Sequence, residues 1–234
     1  MKAVFSSFLK LFALLLMGII LSSVAQAYLV KGNLESDILS GHTAGYFFSL
    51  SLFQIFAFLL PAVVWLKYIE PFEFIPETKG KVLSYMYAIL FFVITYFLAN
   101  ALNEWITQWS KVYLPDLYRS TLGDTEMITD LIKNPPSIWY PLIVVGIIPA
   151  IAEELFFRKA IFGFLKQKSG SFVHAALLSS LLFAGVHFQV LQLLPIFLLG
   201  FALAFAYNAT GSIIVPMVLH AINNSIQVLI LYYA

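Results

Sequence analysis

The chain contains no cysteine, which excludes disulfides, thiol catalysis and thiolate metal sites. Charge is also scarce. Thirteen Lys/Arg and twelve Asp/Glu make up 11% of the 234 residues, where a soluble domain carries about 25%. The net charge is +1, with no basic cluster, so nothing points to nucleic acid. No aspartate falls inside a long apolar run, and neither a G-x-S-x-G turn nor an H-E-x-x-H pair occurs. Aspartate-dyad, serine-elbow and paired-histidine helix chemistries therefore lack their residues.

Apolar sequence is abundant. Hydrophobic residues make up 61% of the chain and the mean hydropathy is +0.91. Long apolar runs recur throughout, which predicts an all-α fold: a polytopic transmembrane bundle of about seven spans in a lipid bilayer. Lys2 and Lys10 precede the first run, which begins at Leu11, and Ala25-Gln26-Ala27 has the form of a signal-peptidase site. The run continues through Val30, long enough to span, so it reads as a retained first helix. A polar loop from Lys31 to Gly45 follows, containing His42. Tyr46 to Leu66 is the second span, with Pro61 near its end, and Lys67 to Lys81 is a charged connection. Leu83 to Leu102 makes the third span. Asn103 to Ser137 is too polar to span. Its Trp105, Trp109, Tyr113 and Leu117 recur at helical spacing, the pattern of an amphipathic helix on the bilayer surface. The fourth span occupies Ile138 to Leu165, the fifth Phe172 to His187, the sixth Leu191 to Tyr207 and the seventh Ile213 to Leu231.

Of eight glutamates in the chain, only Glu153 and Glu154 lie inside a run of spanning length. Each charge placed there costs roughly 2.5–3.5 kcal/mol, so compensation is expected. Glu154 and Arg158 stand at i and i+4 and can pair on a helix. Glu153 is rotated by about 100° and points elsewhere. Two further spans carry polar groups. His187 ends the fifth, one turn after Phe183, and His220 and Asn224 form a stripe on the seventh. Glu153 lies 16 residues before Ser169 and His187 lies 18 after it. At 1.5 Å per residue both stand about 24–27 Å from the hairpin turn, at one depth. His174 and His42 belong to an interface and a loop. Singly, each polar residue reads as packing or interhelical glue. Together, Glu153, His187, His220 and Asn224 are what is needed to activate a water and hold an oxyanion.

The pattern Glu153-Glu154-x-x-x-Arg158, Phe183-x-x-x-His187, His220-x-x-x-Asn224 resembles the three motifs of the CAAX-protease and bacteriocin-processing family (CPBP, or Abi). Pro149, Phe157 and Thr210-Gly211-Ser212 agree with its flanks, while Lys159 stands where the family usually has glycine. The resemblance covers roughly residues 138 to 226. It implies an intramembrane endopeptidase of the glutamate type, acting on a membrane-associated peptide or protein without a cofactor. Carried over, Glu153 and His187 activate the water and His220 and Asn224 form the oxyanion site. Glu154 and Arg158 support it, and Phe183 shapes the pocket. Residues 138–234 are then the catalytic core, and residues 1–137 an amino-terminal region with three spans and the interfacial loop, within one integral membrane domain.

Three alternatives stay open. A zinc-dependent protease would use the glutamate and histidines as ligands. A non-catalytic scaffold or immunity protein would survive loss of Glu153, and a transporter would use Glu153 as a proton carrier. With the amino terminus in the cytoplasm, and the buried Arg158 discounted, eight Lys/Arg face inward and four outward, satisfying the positive-inside bias.

Overall fold

The computed structural model describes the backbone of residues 2–30, 43–69 and 81–234, and their side chains except at 2–5, 8, 25–30, 43–44 and 122–128. The loop residues 31–42, including His42, the connection 70–80 and the side chains of Ala25-Gln26-Ala27 lie outside this set. Among the described residues all regular structure is helical, as the apolar periodicity requires. Eight helices follow one another among the described residues: α1 (Lys2–Val30), α2 (Gly45–Ile69), α3 (Val82–Tyr113), α4 (Pro115–Lys133), α5 (Trp139–Ser169), α6 (Phe172–Gly185), α7 (Leu193–Thr210) and α8 (Ile214–Tyr233). Five of them, α2, α3, α5, α7 and α8, are long and apolar enough to cross a membrane. Leu9–Val24 within α1 and all of α6 are shorter apolar helices. The protein is an integral membrane protein of the helical class.

Two spans widen locally into π-helix. In α2 this occurs at Ile55–Leu59 and Trp65–Ile69, and in α5 at Leu142–Ile147 and Glu154–Phe162. A proline follows the first widened turn in each case: Pro61 and Pro149 stand at the first positions of the α-helical segments that resume. Proline has no N–H to give the carbonyl four residues back, and its ring crowds that carbonyl. A wider turn relieves the conflict without breaking the helix. Gly170 and Gly211 close α5 and α7 in the left-handed region, both at φ 66°, where glycine avoids the Cβ penalty. Ser171 then caps α6, its hydroxyl accepting from the His174 amide at 3.3 Å, and His174 itself is exposed.

One part of the sequence reading is corrected. Trp105, Trp109 and Tyr113 do not share a surface helix with Leu117, because α3 runs unbroken to Tyr113. No glycine or proline interrupts it, and Gln108 Nε2 donates to Glu104 Oε1 at 2.7 Å across one turn. The break falls at Pro115, which forces Leu114 out of helical backbone, to φ −133° and ψ 54°. Thirty-two residues span about 48 Å, longer than the roughly 30 Å hydrocarbon core. The end of α3 bearing exposed Trp105, Trp109 and Tyr113 therefore reaches past the hydrocarbon, as an aromatic belt does. The amphipathic helix is α4, with Asp116 in its first turn and Lys133 in its last, both favourable to the helix dipole.

The chain divides into two compact units built from interleaved stretches. The first comprises residues 1–72, 128–156 and 220–234. In it α1 meets α2 without side chains between them: a Cβ on Gly18 would lie 2.5 Å from the Phe56 carbonyl oxygen. Ser22, one turn on, donates to Gly18 O at 2.6 Å. Phe47, Leu131 and Val144 make an apolar cluster with Leu50 and Ile148 around it. The second unit comprises residues 73–127 and 157–219. There Ala88 and Phe92 of α3 meet Ala202, Leu203 and Ala206 of α7, and Phe162 meets Ala175, Ala176 and Ala204. Lipid supplies little hydrophobic drive between helices, so close approach through alanine is what holds such pairs. Lys166 also donates to Asn208, tying the end of α5 to α7.

Candidate functional site

In the first unit, α5 and α8 bring three ionisable groups together. Glu153 is 5% exposed, Glu154 0% and His220 5%. The His220 ring stands between the carboxylates. Its Nδ1 is 2.9 Å from Glu154 Oε1 and its Nε2 is 3.9 Å from Glu153 Oε2. The first distance is a hydrogen bond; the second is too long for one. With Nδ1–H donated to Glu154, Nε2 accepts in the neutral ring and donates in the imidazolium. Glu154 thus fixes both the orientation of the ring and the nitrogen that faces Glu153. Successive helix positions point about 100° apart, which is how adjacent glutamates reach opposite edges of one imidazole.

Asn224 lies one turn beyond His220. Its Nδ2 donates to the Val145 carbonyl at 3.4 Å, and its Oδ1 accepts from Asn223 at 3.0 Å. Val145 is four residues before Pro149, so no α-helical N–H is available to its carbonyl. The proline that flanks the first motif thereby leaves an acceptor for the asparagine of the third. An amide nitrogen carries two N–H groups, so Asn224 has a second one beyond the bond to Val145. Gly146 allows α8 to come close, since a Cβ there would meet Ser225 Oγ at 2.8 Å. Asn223, Val145 and Gly146 were not singled out from the sequence. The doubled asparagine and the Pro149 offset are the signals that could have found them.

The second unit holds Arg158, Phe183 and His187. Arg158 is 1% exposed. Its guanidinium carbon lies 4.3 Å above the Phe183 ring, and Nη2 donates to the Gly200 carbonyl at 3.4 Å. Phe183 meets Phe157 edge-on at 5.2 Å and His187 edge-on at 4.9 Å. Gly200 is small of necessity: a Cβ would lie 3.0 Å from the Phe183 ring. His187 Nδ1 is 2.7 Å from the Phe183 carbonyl oxygen. A carbonyl only accepts, so Nδ1 carries the proton and Nε2 presents its lone pair. That is the tautomer able to take a proton from water. Among the described residues no group of three or more His, Asp or Glu is placed to hold a metal ion.

Comparison with known proteins agrees with the motifs. Residues 135–226 match the family model described as Type II CAAX prenyl endopeptidase Rce1-like. A protein of Bacillus subtilis (strain 168) named "Putative membrane peptidase YdiL" is 39% identical over 106 residues, 45% of this chain and 42% of the relative. The UPF0177 protein YxdF of Lactococcus lactis subsp. lactis (strain IL1403) is 35% identical over 103 residues, 44% of this chain and 55% of the relative. The chain spans about half the length of the curated relatives it matches. No solved structure matches it. The resemblance carried by the three motifs is borne out: all three fall within residues 135–226, the stretch that is similar to the Rce1-like CAAX endopeptidase family.

Proposed function

We propose that this chain is an intramembrane endopeptidase that hydrolyses a peptide bond with a water activated by Glu153. The supporting observation is the buried Glu153–His220–Glu154 arrangement, with His220 anchored at 2.9 Å and facing Glu153 at 3.9 Å. Glu153 takes a proton from water, and the hydroxide adds to the carbonyl carbon. Asn224, through its second N–H, and protonated His220, through Nε2–H, donate to the resulting oxyanion. Glu153 then passes its proton to the departing amine nitrogen as the C–N bond breaks. His187 is assigned to water activation from its motif and from the lone pair at Nε2. Arg158 and Phe183 support His187. The substrate is a membrane-associated protein or peptide, and the family description makes a prenylated CAAX terminus the first to try.

The test is cleavage of internally quenched CAAX-type peptides, prenylated and unprenylated, by the purified chain in detergent. Comparing the membrane proteomes of cells with and without the active protein extends it to natural substrates. No cofactor is assigned, so a strong chelator should leave turnover unchanged. Loss on chelation with recovery on zinc addition would replace the glutamate mechanism by the zinc-dependent one. Absence of cleavage in both assays would favour the scaffold or immunity reading. Asn224→Ala removes one oxyanion donor and is expected to lower kcat by about 10²–10³-fold. A kcat within twofold of wild type would remove Asn224 from the site.

We also place the chain in the cell membrane as a multi-pass protein with its amino terminus in the cytoplasm. The cysteine-free background makes this directly testable. A cysteine at Asp116, whose side chain is 96% exposed, should label from outside, and one at exposed Ser169 from the cytoplasm. Asp116→Cys labelled only from the cytoplasm would reverse the topology.

A further inference from the structure

Immediately after His187 the chain leaves helical geometry. The His187 amide donates to Ala184 O at 3.3 Å and the Phe188 amide to Gly185 O at 3.2 Å, closing α6 with tight turns. Phe188 then adopts φ 54°, and among the described residues it is the one non-glycine with positive φ. Helix ends use this conformation often, but with glycine, because a Cβ there crowds the backbone. A bulky residue in it is an outlier. Its ring is also 80% exposed, so packing within the chain does not account for its presence. Gln189, extended at φ −103° and ψ 89°, is exposed too. Among the described residues its amide donates to no backbone acceptor. Val190, 67% exposed, begins the next short turn.

Lipid contact does not explain this strap. Leu177, Leu178 and Leu181 of α6 are already 43–52% exposed from regular helix, at no conformational cost. Irregular backbone with an unsatisfied N–H is not tolerated in hydrocarbon unless it faces protein or water. An exposed aromatic, a bare amide and an extended backbone are what an extended peptide pairs with. Resting on the endopeptidase reading, we propose that Phe188–Val190 is a docking strap for the substrate chain beside His187. The Phe188 ring takes an apolar side chain next to the cleaved bond, and the Gln189 amide donates to a substrate carbonyl. Phe188 is thereby a specificity-determining residue.

Phe188→Gly separates backbone from ring, because glycine accepts the left-handed turn. The full purified chain is assayed on quenched CAAX-type peptides carrying Leu, Phe or Ala beside the cleaved bond. For the Leu and Phe peptides KM should rise about tenfold while kcat stays within about twofold. Preference over the Ala peptide should collapse, and the melting temperature should hold or rise. Phe188→Trp should retain the preference. Unchanged discrimination in Phe188→Gly sinks the docking role alone, as does a fall in kcat at constant KM, which would make the turn a support for His187. A wild-type chain that cleaves none of these peptides sinks the endopeptidase reading and the docking with it, whereas cleavage unaffected by Glu153→Gln overturns only the role of Glu153.

Discussion

Replacing Glu153 by glutamine is expected to lower turnover by at least the roughly 10²–10⁴-fold that accompanies loss of a general base. The substitution keeps the size and shape of a side chain that is only 5% exposed, so no cavity opens. It removes a charge from a membrane span, which favours rather than opposes insertion. It leaves the Glu154–His220 hydrogen bond in place, so the imidazole keeps its orientation. Only the basic oxygen is lost. The measurement is kcat on a quenched peptide together with the melting temperature in detergent. Reduced turnover with unchanged melting is the expected result. Turnover within tenfold of wild type would mean that another group takes the proton from water, and Glu153 would then be a structural carboxylate.

The largest stability effect is expected from Arg158→Ala. The guanidinium is 1% exposed, lies over the Phe183 ring and donates to the Gly200 carbonyl. Truncation leaves a void beneath Phe183 and breaks a buried charged contact, a loss on the order of 3–5 kcal/mol. Phe183 contacts His187 through both its ring and its carbonyl, so activity should fall along with folded protein. Rate per folded molecule should fall much less than for Glu153→Gln. A lowered melting temperature is the main expected sign. Normal melting with abolished activity would instead assign Arg158 a direct part in the chemistry.

The sequence by itself determined the class of the protein and the identity of its candidate residues. Charge scarcity and long apolar runs make a membrane helix legible without coordinates, because the bilayer sets both the length and the polarity of a span. The same logic singles out Glu153, Glu154 and Arg158, since charge at that depth needs a reason. Local punctuation was partly legible: the hairpin turn expected at Ser169 is where α5 ends, on the left-handed Gly170. It was misread after Leu102, where polarity suggested a loop but only Pro115 could stop the helix. The π-helical turns of α2 and α5 were not legible, because hydrophobic periodicity records which face is apolar and not which carbonyl each amide chooses.

Tertiary structure decided the partners. From spacing alone Glu154 belongs with Arg158, four positions on. Folding also brings it His220, 66 positions away, and brings Asn224 to Val145, 79 positions away. Nothing in local periodicity encodes contacts at such separations. They follow from which helix faces can approach, and at Gly146 that depends on the absence of one Cβ. The proton positions inferred for His187 and His220 are likewise properties of the fold, because a ring nitrogen is a donor or an acceptor according to the atom placed opposite it.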